Sequence, residues 1–152
     1  MGQRQSSRRE AYMREIDFIF YHEAEIREAV QQARLSSSRA GLVCVSSNSS
    51  NISDPTALRA VRNLTRLKSV VIKSGVLIEH PEQWLEVIDK TYIYCAKQKD
   101  CRLEVAKRRY SGEDYQKTLR DLHLSNSTFR RLLELVKIYA ALQAVQLGLI
   151  KV

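Results

Sequence analysis

The most informative part of the sequence is residues 115–133, which read YQKTLRDLHLSNSTFRRLL. Leu119 and Leu122 are spaced so that they share one side of a short helix. His123 follows where the chain must turn and where a residue tolerant of positive φ is needed. Ser125 fits the N-cap of a second helix, because its hydroxyl can accept a backbone N–H of the first turn. The stretch is therefore predicted to fold as helix, turn and helix.

The second of these helices is expected to have one buried and one exposed side. Thr128 is expected to pack beneath its first turn, and the predicted buried stripe consists of Phe129, Leu132, Leu133 and Val136. In a helix-turn-helix, the first helix lies against the DNA backbone and the start of the second presents polar side chains to the major groove. The side chains expected to contact DNA are Ser125, Asn126, Ser127, Thr128, Arg130 and Arg131, with Lys117 and Arg120 from the first helix.

An ordinary helical hairpin with solvated arginines is the alternative interpretation of this pattern, because helix-cap-helix sequences are common. The run Leu-x-Leu-Ser-x-x-Thr-Phe over residues 122–129, followed by two arginines, favours DNA binding. Asn126 can pair with the edge of an adenine, and Arg130 or Arg131 can reach a guanine or a phosphate.

Residues 122–131, LHLSNSTFRR, resemble the C-terminal helix-turn-helix of sigma-factor region 4-like regulators. The closest resemblance is to the ArpU/RinA family of phage and prophage late transcription regulators. Residues 108–110, RRY, match the basic-Tyr ending that such proteins have before the motif, and residues 49–56, SSNISDPT, resemble their Ser/Asn-rich linker. The family usually has a small alanine where this sequence has Leu119, and a large aliphatic residue where it has Thr118.

The resemblance implies a regulator that binds promoter DNA in the cytoplasm of a bacterial host. It further implies activation of phage or prophage late genes, with RNA polymerase as a possible second partner. Two other classes of protein stay open. One is the DNA-recognition subunit of a phage packaging machine, like a small terminase, and the other is a basic adaptor that binds an acidic protein.

Composition favours an all-α fold with a helical N-terminal scaffold followed by the helix-turn-helix. The 152 residues are 44% hydrophobic and include only 5 Gly and 2 Pro, too few for the many turns of a β-sandwich or barrel. The net charge is 25 − 17 = +8. The typical partners of a small basic helical protein are nucleic acid, an anionic membrane or an acidic protein.

Four segments are predicted along the chain. Residues 1–35 form a helical segment that carries a basic arm, and residues 36–54 form a linker rich in serine. Residues 55–99 form central helices, and residues 100–152 contain the helix-turn-helix and an apolar C-terminal helix. The basic arm contains Arg4, Arg8 and Arg9.

The first central helix is expected to begin at Asp54, with Pro55 in its first turn, and to end at Gly75. A helix over this range would bring four basic side chains into one narrow arc, because they lie at positions i, i+3, i+7 and i+14. Residues 55–78 contain no acid to balance their charge. This secondary basic stripe consists of Arg59, Arg62, Arg66 and Lys73. It would follow phosphates or an acidic surface, or simply be solvated.

The last part of the chain, residues 136–152, carries only two charges, Lys137 and Lys151. A helix this apolar is expected to be buried, either against the helix of Trp84 or in a homodimer. The apolar stretch is interrupted by Gln143 and Gln146 and is too short to span a bilayer. The basic and apolar faces are also not paired in one interfacial helix, so no membrane partner is expected.

Chemistry other than binding has little support in the sequence. No phosphate-cradling glycine loop, nucleophile elbow or metal-spaced acidic cluster is found, so neither an enzyme nor a cofactor is expected. Cys95 and Cys101 have no zinc-finger spacing to a histidine and fit core thiols better. Three cysteines without paired spacing and no secretion signal favour a reducing cytoplasm.

Overall fold

The computed structural model describes residues 2–40 and 66–151. In these two ranges the protein is mainly helical, which confirms the all-α class. The helices are α1 (Gly2–Tyr21), α2 (Glu23–Ala40), α3 (Pro81–Ala96), α4 (Arg102–Tyr110), α5 (Tyr115–Asp121) and α6 (Asn126–Gln146). Two short strands, β1 (Ser69–Val71) and β2 (Leu77–Glu79), form one antiparallel hairpin.

The chain divides into two compact units, residues 1–23 with 83–152, and residues 24–82. In the first unit, α6 packs on α1 and on α4. The side chains of α6 that point into the core recur every three or four residues, so they form a single stripe along the helix. This stripe consists of Phe129, Leu132, Val136, Ala140 and Ala144.

The stripe of α6 confirms three of the four predicted core positions, while Leu133 is half-buried. Ala140 and Ala144 are fully buried, and their small side chains let neighbouring helices approach α6 closely. The apolar C-terminal helix also lies against the Trp84 helix, which is one of the two predicted arrangements. The ring of Tyr139 stacks on that of Tyr94, with centroids 3.9 Å apart.

The second unit contains α2 and the β-hairpin among its described residues. Ile26 of α2 is fully buried. The alternate hairpin residues Val70, Ile72 and Ile78 are also buried, with less than a tenth of their surface exposed. Polar contacts join the hairpin turn to α2. Lys73 Nζ lies 2.7 Å from Glu28 Oε2, and the Ser74 N–H donates to Glu25 Oε2 over 3.4 Å.

The helix predicted to end at Gly75 is wrong for residues 66–75. Val70 pairs with Ile78 across the hairpin, and Gly75, with φ +81°, belongs to its turn. The run Val70–Ile72 is β-branched, and its alternation of buried and exposed side chains suits a strand.

The secondary basic stripe therefore does not exist as a helix face at Arg66 and Lys73. Arg66 is exposed in non-helical chain, and Lys73 lies in the hairpin turn. Arg59 and Arg62 lie outside the described residues, as does the rest of that predicted helix.

Two further boundaries differ from the prediction. Helix α2 continues to Ala40, so the first five residues of the predicted linker are helical, and residues 41–54 lie outside the described range. The predicted basic arm is also helical, because α1 begins at Gly2 and includes Arg4, Arg8 and Arg9. Within the described residues, none of the helices combines the length and the apolar character needed to cross a membrane.

Candidate functional site

The predicted helix-turn-helix is a small three-helix arrangement of α4, α5 and α6. Its core is a cluster of Val105 from α4, Leu119 from α5, and Phe129 and Leu132 from α6. Complete burial of side chains of this size stabilises a fold by about 1.5–3 kcal/mol each. Half-buried side chains surround this core: Cys101, Tyr115, Leu122, Leu124 and Leu133. The cluster therefore fixes α5 and α6 against each other and against α4.

Charged side chains hold α5 in place at its start and at its end. Asp114 caps α5, because its carboxylate accepts the Lys117 N–H over 2.7 Å. Arg108 of α4 lies 3.7 Å from Glu113, just before α5, and 2.9 Å from Asp121, the last residue of α5. The Lys117 ammonium pairs with Glu113 at 3.1 Å. Lys117 must therefore leave an exposed ion pair, worth at most about 1 kcal/mol, before it binds an anion.

The turn between α5 and α6 closes by two backbone hydrogen bonds. The His123 N–H donates to the carbonyl oxygen of Arg120 over 3.2 Å, and the Leu124 N–H donates to that of Leu119 over 2.9 Å. This is the Schellman pattern, and it requires a left-handed residue between the two helices. His123 has φ +51°, which confirms the predicted turn.

The same Schellman pattern ends α4 and α6, but with glycine in the left-handed position. Gly112 has φ +78° and Gly148 has φ +73°. An L-residue in this conformation costs about 1–2 kcal/mol relative to the right-handed region. His123 is thus the strained member of three otherwise equivalent turns.

The start of α6 is capped as predicted. Ser125 Oγ accepts the Thr128 N–H over 3.2 Å and lies 2.8 Å from Thr128 Oγ1 and 3.0 Å from Ser127 Oγ. Thr128 is exposed, so its predicted position beneath the turn is wrong. Phe129 takes the buried position instead, because the bond to Ser125 keeps the Thr128 hydroxyl at the surface.

Asn126 is oriented by a residue that the sequence did not single out as a site residue. The Tyr115 hydroxyl donates to Asn126 Oδ1 over 2.8 Å, while the Tyr115 ring meets Phe129 edge-on with centroids 5.0 Å apart. The side-chain amide of Asn126 is exposed and keeps both N–H donors and one oxygen lone pair for a ligand.

The three arginines of the predicted site are exposed, and no ion pair joins Arg120, Arg130 or Arg131 to another described residue. Arg120 shares a shallow depression between α5 and α6 with Asn126 and with the capping Ser125. Arg130 and Arg131 follow one turn later on α6. The eight predicted site residues thus lie on two consecutive helices of one unit, with Lys117 the one whose charge is already paired.

Comparison with known proteins finds no match to a family model, a curated protein or a solved structure. The geometry of the site itself therefore carries the functional argument. Its elements are a pair of packed helices, a capped helix start, an oriented amide and three arginines that have no acidic partner among the described residues.

Proposed function

We propose that the protein is a sequence-specific DNA-binding transcription regulator that places the start of α6 in the major groove of double-stranded DNA. The observation that carries this proposal is the exposed, acid-free start of α6. Residues 122–133 include no Asp or Glu, and Arg130 and Arg131 are exposed there. The positive end of the helix dipole adds to their attraction for phosphate.

The base-contacting role belongs to Asn126 and Arg131 in this proposal. An adenine edge offers an N–H donor and a nitrogen acceptor, and an Asn amide can satisfy both. Tyr115 uses one lone pair of Asn126 Oδ1 and leaves the second for adenine. The hydrogen bond also reduces the rotamer freedom that Asn126 would lose on binding.

Phosphate contacts are assigned to Arg120 and Lys117, because α5 is the helix that lies across the backbone in such an arrangement. Arg120 has no acidic partner among the described residues, whereas Lys117 exchanges Glu113 for a phosphate. The resemblance of residues 122–131 to late transcription regulators supports a narrower proposal. In it, phage or prophage late promoters are the targets, RNA polymerase is a second partner, and the protein acts as a homodimer in a bacterial cytoplasm.

The test begins with selection of bound sequences from a random duplex pool by the purified protein. Fluorescence anisotropy then compares the selected duplex with a scrambled one over a series of salt concentrations. Arg131→Ala is expected to weaken binding to the selected duplex by about 1–3 kcal/mol if Arg131 contacts a base. If it contacts phosphate instead, both duplexes weaken equally and the salt slope falls by about one unit.

Lys99→Ala is the matched control, because Lys99 is exposed between α3 and α4 and its loss changes the net charge equally. The proposal is overturned if wild-type protein shows no preference for any duplex. It is also overturned if joint replacement of Asn126, Arg130 and Arg131 by alanine leaves affinity and specificity unchanged. Sedimentation of the protein alone separates the packaging alternative, which predicts a ring of many subunits rather than a monomer or dimer.

A further inference from the structure

A second charged surface lies in the same unit, in a groove between α1 and α6 that we call the α1–α6 groove. Its volume is about 650 Å³, and four basic and three acidic side chains line it. One of the basic side chains is Arg130, which also belongs to the proposed DNA-binding surface. The groove therefore opens beside the base-contacting start of α6.

The acids of the groove already have partners. Asp17 Oδ2 accepts a hydrogen bond from Lys137 Nζ over 2.9 Å, and Asp17 Oδ1 accepts one from the Tyr110 hydroxyl over 2.8 Å. Burial and the nearby Asp17 raise the pKa of Tyr110, so this hydroxyl stays protonated as a donor. Glu10 also has a partner. Asp17 and Lys137 are thus fixed to each other and contribute no free charge.

The Arg9–Glu134 pair differs because it is exposed and weak. Arg9 and Glu134 are 65% and 59% exposed, and their charged atoms are 3.3 Å apart. Surface pairs of this kind contribute at most about 1 kcal/mol. Arg9 can therefore leave Glu134 for a stronger anionic ligand at little cost.

Two guanidinium groups of the groove have no acidic partner among the described residues. Arg14 is exposed, and its Nε donates to the backbone carbonyl of Glu10 over 3.3 Å. Arg130 is exposed on the opposite helix. A guanidinium binds a phosphate through two parallel N–H donors. An arginine that is not already paired with a carboxylate has these donors available.

We propose that the α1–α6 groove binds the sugar–phosphate backbone of DNA that flanks the base pairs contacted by α6, with Arg14 and Arg130 as phosphate ligands. This inference rests on the proposed DNA-binding function and extends its footprint from α6 to α1. Glu134 is the opposing element, because its carboxylate repels a phosphate once Arg9 has moved away.

The first experiment measures the salt dependence of DNA affinity for Arg14→Gln. Loss of one phosphate contact lowers the magnitude of the salt slope by about 0.9 and the affinity at 0.15 M salt by about fivefold. The loss should be equal on the selected and the scrambled duplex, since phosphates carry no sequence information. Lys99→Gln removes the same charge outside the groove and should change affinity much less.

The second experiment removes the opposing acid. Glu134→Gln is expected to raise the affinity for both duplexes several-fold, whereas Glu79→Gln, which removes the same charge from the exposed face of β2, should not. Arg14, Lys99 and Glu79 are exposed, so their replacement should leave the Tm unchanged. An unchanged Tm then excludes an effect on DNA affinity that acts through folding.

The proposal is overturned if Arg14→Gln behaves like Lys99→Gln, or if Glu134→Gln behaves like Glu79→Gln. Should wild type still prefer the selected duplex in that case, the groove assignment alone fails and the proposed function stands. Absence of DNA binding by wild type removes both. Tighter binding of poly-glutamate than of DNA, with loss of that binding in Arg14→Gln, would assign the groove to an acidic protein and overturn the DNA proposal.

Discussion

Replacement of His123 by glycine is expected to stabilise the protein, although it removes a side chain. His123 holds φ +51° in the turn between α5 and α6, where the corresponding turns after α4 and α6 have Gly112 and Gly148. Glycine adopts this conformation without steric cost because it has no Cβ. The substitution therefore releases backbone strain at the centre of the helix-turn-helix.

The size of the effect follows from two opposing contributions. Release of the left-handed strain contributes about 1–2 kcal/mol. The greater freedom of glycine in the unfolded chain opposes it by about 0.4–1 kcal/mol. The midpoints of these two ranges differ by about 0.8 kcal/mol, which corresponds to a rise in Tm of about 2–3 °C for a chain of this size.

Thermal unfolding followed by tryptophan fluorescence measures this change. The chain has one tryptophan, Trp84, which is 4% exposed in the same compact unit as His123. Gly148→Ala is the reciprocal control. Apart from Gly148 itself and its two chain neighbours, no heavy atom of the described residues lies within 4 Å of the position that the new Cβ would take, so the expected loss of about 1 kcal/mol is conformational.

A lower Tm for His123→Gly, with the expected loss in Gly148→Ala, would refute the argument. It would mean that the imidazole makes a stabilising contact larger than the strain. No change in Gly148→Ala would instead contradict the common basis of both predictions, the left-handed Schellman turn.

Two further predictions concern hydrogen bonds near the site. Tyr115→Phe keeps the packing on Phe129 but frees Asn126 Oδ1, so it should reduce discrimination at the base pair that Asn126 contacts and leave affinity for scrambled DNA unchanged; no additional loss should appear when Asn126 is already alanine. The Arg102 guanidinium, bonded to Asp100, holds the pKa of that carboxyl below its ordinary value of 3.8, so the pair stabilises the fold above that pH and less as pH falls through the lowered pKa. Asp100→Asn should accordingly lower the Tm at pH 7 and have a smaller effect near pH 2, and an equal effect at both pH values would contradict this assignment.

The parts of the structure that the sequence predicted correctly are those set within a few residues. The cap at Ser125 depends on the N–H of Thr128, three residues away, and the turn at His123 depends on atoms within five residues. The buried stripe that begins at Phe129 follows helical spacing along a single element. Such local requirements leave their pattern in adjacent residues, so they can be recognised without knowledge of the remaining chain.

The β-hairpin depends on a pairing that the local sequence pattern does not specify. Gly75 has φ +81°, and a left-handed glycine suits both the end of a helix and a hairpin turn. The two interpretations differ in whether Val70 finds a partner in Ile78. A short apolar run does not specify that pairing by its periodicity alone, because three residues are too few to separate a strand from a helix.

The contacts that define the candidate site are also non-local. Tyr115 and Asn126 are 11 residues apart, across a turn, and Arg9 and Glu134 are 125 residues apart. Nothing in the spacing of the linear sequence relates these pairs. Exposure of Arg130 was predictable from the helix pattern, whereas its place in a groove with α1 depends on packing between the ends of the chain.

Asp17 accepts hydrogen bonds from two residues that are synthesised long after it, Tyr110 and Lys137. Asp17 and its partners Tyr110 and Lys137 are separated by 93 and 120 residues. Translation at 5–20 residues per second places an interval of about 6–24 s between synthesis of Asp17 and of Lys137. Helix α1, with the apolar Ile16 and Phe20 that are buried in the finished fold, is synthesised before α6, against which it packs. For that interval the apolar face of α1 lacks its partner α6 and is accessible to a chaperone that binds apolar helices.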